Sequence, residues 1–192
     1  MKDRMKRNSK IAAVTLMLNL GVAGVYAQHK PVKMTFSGTL EASTLSLQPG
    51  TNTDAEDLAG NGTLGPFTFR ELHADIASPQ PSSTCSGPTH LYFPTVAGAG
   101  VFRFQDGSLL TVSITQGAIC IDLSAGVGHL TETYQITGGT GRFKGAFGAL
   151  KFTAILTPVI NAGGVFLATD TGEFQGTVFG VAKGEDGQDE RQ

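Results

Sequence analysis

The sequence has none of the short motifs that identify the common hydrolases. It contains no G-x-S-x-G, no H-E-x-x-H and no cysteine paired with a histidine as nucleophile and base. His90 and His129 have no companion at metal-binding spacing, so we predict neither a metal site nor a cofactor. Any chemistry must therefore come from single polar residues on apolar faces, and the sequence leaves open whether the protein is an enzyme.

Positive charge is scarce beyond the first ten residues. The chain has 14 basic and 16 acidic residues, and five basic but only one acidic residue precede position 28, which leaves 9 against 15 and a formal charge of −6. A negative chain without a basic cluster argues against nucleic acid or an anionic membrane surface as a partner.

A single long apolar run follows the basic N-terminal end. Residues 11–27, IAAVTLMLNLGVAGVYA, are uncharged and end in a small residue, which predicts a Sec signal peptide cleaved after Ala27. No later run reaches the roughly 20 apolar residues of a membrane span. We therefore expect a secreted or periplasmic protein without membrane contact after cleavage. It should have one domain over residues 28–182 and a disordered polar tail over residues 183–192.

Cysteine is also scarce. Only Cys85 and Cys120 are present, and in an oxidising compartment an isolated pair most often forms one disulfide. Cys85 lies in a segment rich in proline and serine, residues 78–88, whose composition predicts a loop. The expected bond would attach this loop to a strand over residues 118–123.

Amphipathic helical spacing is absent, and the apolar residues recur instead with a period of two. Met34 and Phe36 alternate with polar neighbours, as do Leu110 and Val112. About eight or nine such segments, separated by turn sequences such as Asp106-Gly107, predict an all-β fold. We expect a closed antiparallel β-barrel of about eight strands, with a β-sandwich as the alternative.

Three segments show no simple alternation. Residues 48–60, QPGTNTDAEDLAG, are polar and predict a loop. Two similar glycine-rich hexapeptides, TGRFKG at residues 140–145 and TGEFQG at residues 171–176, predict tight turns that each enter a strand. A phosphate-binding loop is disfavoured, because the first copy is followed by a strand pattern and not by a helix.

The stretch from Ile136 to Gly148, ITGGTGRFKGAFG, and the later GEFQGTVFG carry a family resemblance. They resemble the GGTGxFxGAxG signature of the allene oxide cyclase barrel-like and dirigent-like proteins, over residues 105–180, and the chain is identified as a secreted bacterial member of that group. The resemblance implies an eight-stranded antiparallel barrel, often a homotrimer, whose apolar interior holds lipid-derived or phenolic ligands.

On the predicted strand over residues 129–136, Glu132 shares its parity with Leu130, Tyr134 and Ile136. A carboxylate in an apolar interior is costly unless it is paired or functional, so Glu132 and Tyr134 are the candidate catalytic residues. The alternatives are that this face is an outer wall covered by a neighbouring subunit, or that Glu132 lies at the rim.

On the predicted strand over residues 67–76, Glu71 and His73 share one face with Phe67 and Phe69. If the phenylalanines face inward, Glu71 and His73 lie toward one barrel mouth as an acid/base pair. If the register shifts at a bulge, both side chains are solvated.

Three functions fit these observations. The first is a barrel that binds a small hydrophobic molecule, and its predicted ligand-binding residues are Phe36, Phe143, Phe152, Phe174, Glu71 and His73. The second is an isomerase or cyclase that acts on a lipid-derived or phenolic intermediate through Glu132 and Tyr134. The third is a non-catalytic structural or interaction module with a solid core.

Overall fold

The structure, a computed structural model, describes residues 29–163 and 165–182. The predicted signal peptide and the predicted polar tail lie outside the described residues. Within them there is one short 3-10 turn, Gly141–Phe143, and no helix with the length and apolar character that crossing a membrane requires. The strands are β1 (Lys30–Ala42), β2 (Thr51–Gly62), β3 (Phe67–Ile76), β4 (His90–Phe104), β5 (Leu109–Asp122), β6 (Val127–Gly139), β7 (Phe147–Ala162) and β8 (Val165–Phe179).

The strands close into a barrel. Each strand pairs antiparallel with the next along the chain, and β8 pairs antiparallel with β1. The predicted closed antiparallel barrel is therefore confirmed, and the sandwich alternative is wrong. On β1 the alternation of apolar and polar residues determines which side chains point into the barrel. Met34 and Phe36 are buried, while Lys33 and Thr35 are exposed.

The loop predicted over residues 48–60 is wrong for most of its length. Strand β2 begins at Thr51 and stays in register with β3 until Gly60 lies opposite Phe67. The strand is hard to recognise because two positions that point inward carry carboxyl groups: Asp54 lines a pocket, and Glu56 is fully buried. Inward carboxyls remove the apolar alternation by which a strand is recognised.

The two glycine-rich hexapeptides have different structures. The first copy contains the 3-10 turn between β6 and β7, with positive φ at Gly141 (57°) and Gly145 (78°), which confirms the predicted turn. The second copy is not a turn, because residues 171–176 lie inside β8. Its Gly172 is needed for space, since a Cβ atom there would collide with the carbonyl oxygen of Thr153 and the ring of Phe36.

Aromatic side chains fill the half of the barrel nearest the Gly141–Phe143 turn. The rings of Phe36, Phe152 and Phe174 contact one another at centroid distances of 4.9 to 5.1 Å. Phe143 is fully buried and lies 4.7 Å from the ring of Phe104, where it closes this end. Burial of such rings supplies most of the apolar free energy of a small core.

The predicted disulfide is present between Cys85 and Cys120. Cys85 lies in the loop that connects β3 to β4, and Cys120 lies on β5, as the composition of the two segments predicts. The bond therefore holds this loop against the barrel wall.

Replacing both cysteines by alanine should lower the free energy of unfolding by about 3 to 4 kcal/mol. The reason is that the bond links residues 35 positions apart and restricts the unfolded chain. Urea unfolding of the wild type and of the Cys85→Ala, Cys120→Ala variant measures the difference. Wild-type protein unfolded in a reducing agent should match the variant, and equal stability of oxidised wild type and variant would contradict the prediction.

Candidate functional site

The barrel end opposite the Gly141–Phe143 turn opens into a pocket of about 490 Å³, called here the mouth pocket. Its floor is polar and consists of Asp54 from β2 and of His73 and Asp75 from β3. Most of the exposed area of the remaining lining is apolar and comes from residues that include Leu40, Leu45, Phe93, Ile119, Ile121 and Phe166. Polar residues also line the walls: Ser43, Thr44, Ser46, Thr51, Asn52, Thr53 and Asn161. The pocket therefore combines apolar wall surface with uncharged polar groups and a floor of ionisable groups.

Strand β3 changes character along its inward face. Phe67 and Phe69 belong to the aromatic core, and the next inward residues are Glu71, His73 and Asp75. Glu71 and His73 are each 1% exposed. Both side chains therefore face the barrel interior, and the alternative in which they are solvated is wrong. Their proposed use as an acid/base pair stays a prediction.

His73 is held between carboxyl groups on both sides of its ring. Its Nδ1 lies 3.0 Å from Oε1 of Glu71, while its Nε2 lies 3.6 Å from Oδ2 of Asp75 and 4.0 Å from Oδ2 of Asp54. Burial alone would lower the pKa of His73, but the Glu71 hydrogen bond and the nearby carboxylates outweigh it and raise that pKa to about 10. In the unliganded protein His73 is therefore an imidazolium at neutral pH.

Glu132 and Tyr134 lie inside the barrel behind His73. Both are buried, which excludes the outer-wall and rim alternatives, and the Tyr134 hydroxyl donates a hydrogen bond to Oε2 of Glu132. One ring nitrogen of His73 and one carboxyl oxygen each of Glu71 and Glu132 all lie within 4.8 Å of one another. The two pairs predicted from the sequence, Glu71 with His73 and Glu132 with Tyr134, therefore form one cluster. Burial raises the pKa of Glu132 well above its ordinary value, and the neighbouring Glu71 raises it further.

Two further buried carboxyl groups, Glu56 on β2 and Asp170 on β8, extend the cluster toward the core. Both are fully buried, and none of their four carboxyl oxygens has a donor of good geometry among the described residues. The two carboxyl groups are neighbours, and a proton shared between them favours the protonated form of Glu56 and the ionised form of Asp170. Burial raises the pKa of Glu56 well above its ordinary value and raises that of Asp170 to about 6. Neither residue is identified by the sequence patterns.

The interior holds far more acid than base. Its carboxyl groups are Asp54, Glu56, Glu71, Asp75, Glu132 and Asp170, and its basic group is His73. Among the described residues no lysine or arginine forms an ion pair with these carboxyls, since Arg70 pairs with Asp57 and Arg142 pairs with Asp106. Because several unpaired charges cannot share a low-dielectric interior, some of these carboxyls must stay protonated or be balanced by a cation.

The sequence-predicted phenylalanines have a different location from the mouth pocket. Phe36, Phe143, Phe152 and Phe174 are packed into the aromatic core, and the pocket is lined by other residues. Its aromatic walls come from Phe93 and Phe166, which lie near one end of β4 and at the start of β8. Sequence parity places a side chain inside a barrel but does not give its height along the barrel axis.

Comparison with known proteins gives only distant similarity. No protein-family model and no curated protein matches the chain. Similar solved structures include the pterocarpan synthase dirigent protein GePTS1, with 14% identity, a TM-score of 0.41 and coverage of 84% of this chain and 89% of that one. The pterocarpan synthase dirigent protein PsPTS1 has 15% identity, a TM-score of 0.40 and coverage of 82% and 97%. Similarity at this level assigns neither a family nor a function.

The raised pKa of Asp170 predicts how stability depends on pH. The folded protein holds this proton up to about pH 6, against an ordinary value of 3.8, so the free energy of unfolding should fall as the pH rises from about 4 through 6. Asp170→Asn should remove this contribution and raise the free energy of unfolding at pH 7 by on the order of 1 to 3 kcal/mol. Urea unfolding at pH 4, 6 and 7 in the presence of EDTA measures it.

The matched control for Asp170→Asn is Glu41→Gln, which removes an exposed carboxyl from the same barrel. It should leave the pH dependence of the wild type unchanged. An Asp170→Asn variant with the wild-type slope between pH 4 and pH 6 would show that Asp170 does not keep its proton in the folded state.

Proposed function

We propose that the protein binds a small molecule in the mouth pocket, with the apolar body of the molecule against the walls and its polar end on the floor. The observation that carries this proposal is the position of His73, which is almost fully buried yet forms the floor of a solvent-open, apolar-walled pocket. A volume of about 490 Å³ lies in the range of small-molecule sites.

The chemistry of the floor selects the polar end of the ligand. Asp54 and Asp75 present carboxyl oxygens to the pocket beside the imidazole of His73. Burial raises the pKa of Asp54 to about 6, and the Asp54 carboxyl offers an acceptor oxygen to the pocket in either protonation state. A hydroxyl or amine that donates a hydrogen bond is therefore favoured over an ether or a hydrocarbon end.

A second candidate is a proton-transfer reaction on the bound molecule, as in an isomerase or a cyclase. It is favoured by the polar connection that runs from Tyr134 through Glu132 and Glu71 to His73 at the pocket floor. In this reaction His73 would contact the ligand. Glu132 and Tyr134 would not contact the ligand; they would orient His73 and exchange protons with it. The expected secretion supports a role for either function outside the cytoplasm.

Binding of 2-naphthol, followed by its own fluorescence, tests the proposal. The wild type should bind 2-naphthol about tenfold or more tightly than 2-methoxynaphthalene, because only the former donates a hydrogen bond to the floor. Ala42→Trp places a large side chain at the pocket rim and should abolish binding of both probes.

Gln105→Trp is the matched control, because it adds the same side chain to the turn at the opposite barrel end. It should bind 2-naphthol as the wild type does. Failure to bind either probe, or equal binding by Ala42→Trp and wild type, would contradict the proposed pocket. Binding without any acceleration of deuterium exchange at the ring carbons of 2-naphthol in D₂O would argue for binding alone over proton transfer.

A further inference from the structure

We propose that Asp54, His73 and Asp75 bind one divalent transition-metal ion at the floor of the mouth pocket, with open coordination positions facing the pocket. The proposal rests on the proposed function in one respect, since the ion would anchor the polar end of the ligand. Metal binding itself needs only these three side chains.

The three ligand atoms need only a small movement to reach the spacing that a metal site requires. The distances from His73 Nε2 to the two aspartate oxygens, 3.6 and 4.0 Å, are longer than hydrogen bonds. Ligand atoms that share an ion at about 2.1 Å lie about 3.0 to 3.4 Å apart. One ligand atom from each of the three residues lies within 4.8 Å of the others, so movements below about 1 Å would complete the site.

The other ring nitrogen of His73, Nδ1, already has the kind of hydrogen-bond partner that is usual in metal sites. A histidine that binds a metal through one nitrogen usually donates its other N–H to a carboxylate, which fixes the tautomer and the ring orientation. Glu71 occupies this position, with Oε1 3.0 Å from Nδ1 and only 1% of its surface exposed. The Glu71 contact thus leaves Nε2 directed at the two aspartates and the pocket. A bound ion would take the place of the Nε2 proton of the metal-free protein, and that proton would be released to solvent.

An unpaired oxygen gives independent support for a bound ion. Asp75 is 6% exposed and lines the mouth pocket, and its Oδ1 is buried with no hydrogen bond of good geometry. The Thr95 hydroxyl is close enough to interact with this carboxyl but does not reach good hydrogen-bond geometry. A buried carboxylate oxygen without a partner is costly, and a metal ion or a water bound to that ion would satisfy it. A dication would also balance the excess of carboxyl groups described above.

The set of ligands indicates which ions fit. One imidazole nitrogen with two carboxylate oxygens suits zinc, cobalt or manganese better than calcium, which prefers six to eight oxygen ligands. Three protein ligands with the remaining positions open to a pocket are typical of sites where the ion contacts a substrate. The oxygen of a bound hydroxyl compound could occupy one of these positions.

Short-range sequence spacing shows only part of this site. His73 and Asp75 lie two apart on the inward face of β3, while Asp54 comes from β2, where it is paired in register with His73. Asp54 belongs to the segment that resembles a polar loop, so its position beside His73 emerges only from the strand pairing.

Titration of untagged, EDTA-treated protein with Zn²⁺, followed by calorimetry, tests the proposal. The wild type should bind one equivalent, and His73→Gln and Asp75→Asn should each weaken binding about 100-fold or more. Glu71→Gln, which changes only the group that orients His73, should weaken it about 10- to 100-fold. Co²⁺ binding should give visible absorption bands in the wild type that are lost in His73→Gln.

His90→Gln is the matched control, since His90 is a partly exposed histidine whose Nε2 lies 3.3 Å from an oxygen of Asp122 outside the pocket. It should bind Zn²⁺ as the wild type does. Circular dichroism checks that each variant is folded, and Asp54→Asn, at the more exposed ligand, replaces any variant that is not. Absence of stoichiometric Zn²⁺ binding, or wild-type binding by folded ligand variants, would overturn the metal site. Binding of 2-naphthol by the same metal-free protein would leave the proposed function standing.

Discussion

The structure depends on the neutralisation of carboxyl groups inside a closed barrel. Strand pairing leaves no route by which Glu56, Glu132 or Asp170 could turn toward water, and all three are almost fully buried. Ionised, they would repel one another in a medium that screens charge poorly. The interior is therefore organised around protons shared among acids, around the His73 cation, and around the mouth pocket into which this cluster opens.

The aromatic half of the barrel offsets the free-energy cost of burying these carboxyl groups. Phe36, Phe152 and Phe174 form a packed layer of rings, and Phe174 shares strand β8 with Asp170. Strand β3 shows the division directly, since Phe69 and Glu71 are successive inward residues. Apolar burial at one end thus offsets the cost of desolvating polar groups near the other. The aromatic core and the mouth pocket therefore lie at different heights of one barrel.

The sequence predicts much of the fold and part of the site, and the reasons differ by residue. Glu132, Tyr134, Glu71 and His73 have inward parity because their strands keep apolar residues on the same face. Asp54, Glu56 and Asp170 escape notice because each replaces an apolar inward residue and makes its segment resemble a loop or a turn. The buried acids of β2 and β8 therefore make these two strands hard to recognise from the sequence, and the strand-pairing register reveals both the acids and the strands.

The carboxyl pKa of Glu132 is the most direct test of the central claim. Carbon-13 NMR of metal-free protein with labelled glutamate carboxyl carbons, assigned with Glu132→Gln, follows this group from pH 3 to pH 9. We expect Glu132 to stay protonated well above its ordinary pKa of 4.5, because burial and Glu71 both oppose its ionisation. A titration midpoint at the ordinary value would contradict the account, since it would show that the interior solvates charge as water does.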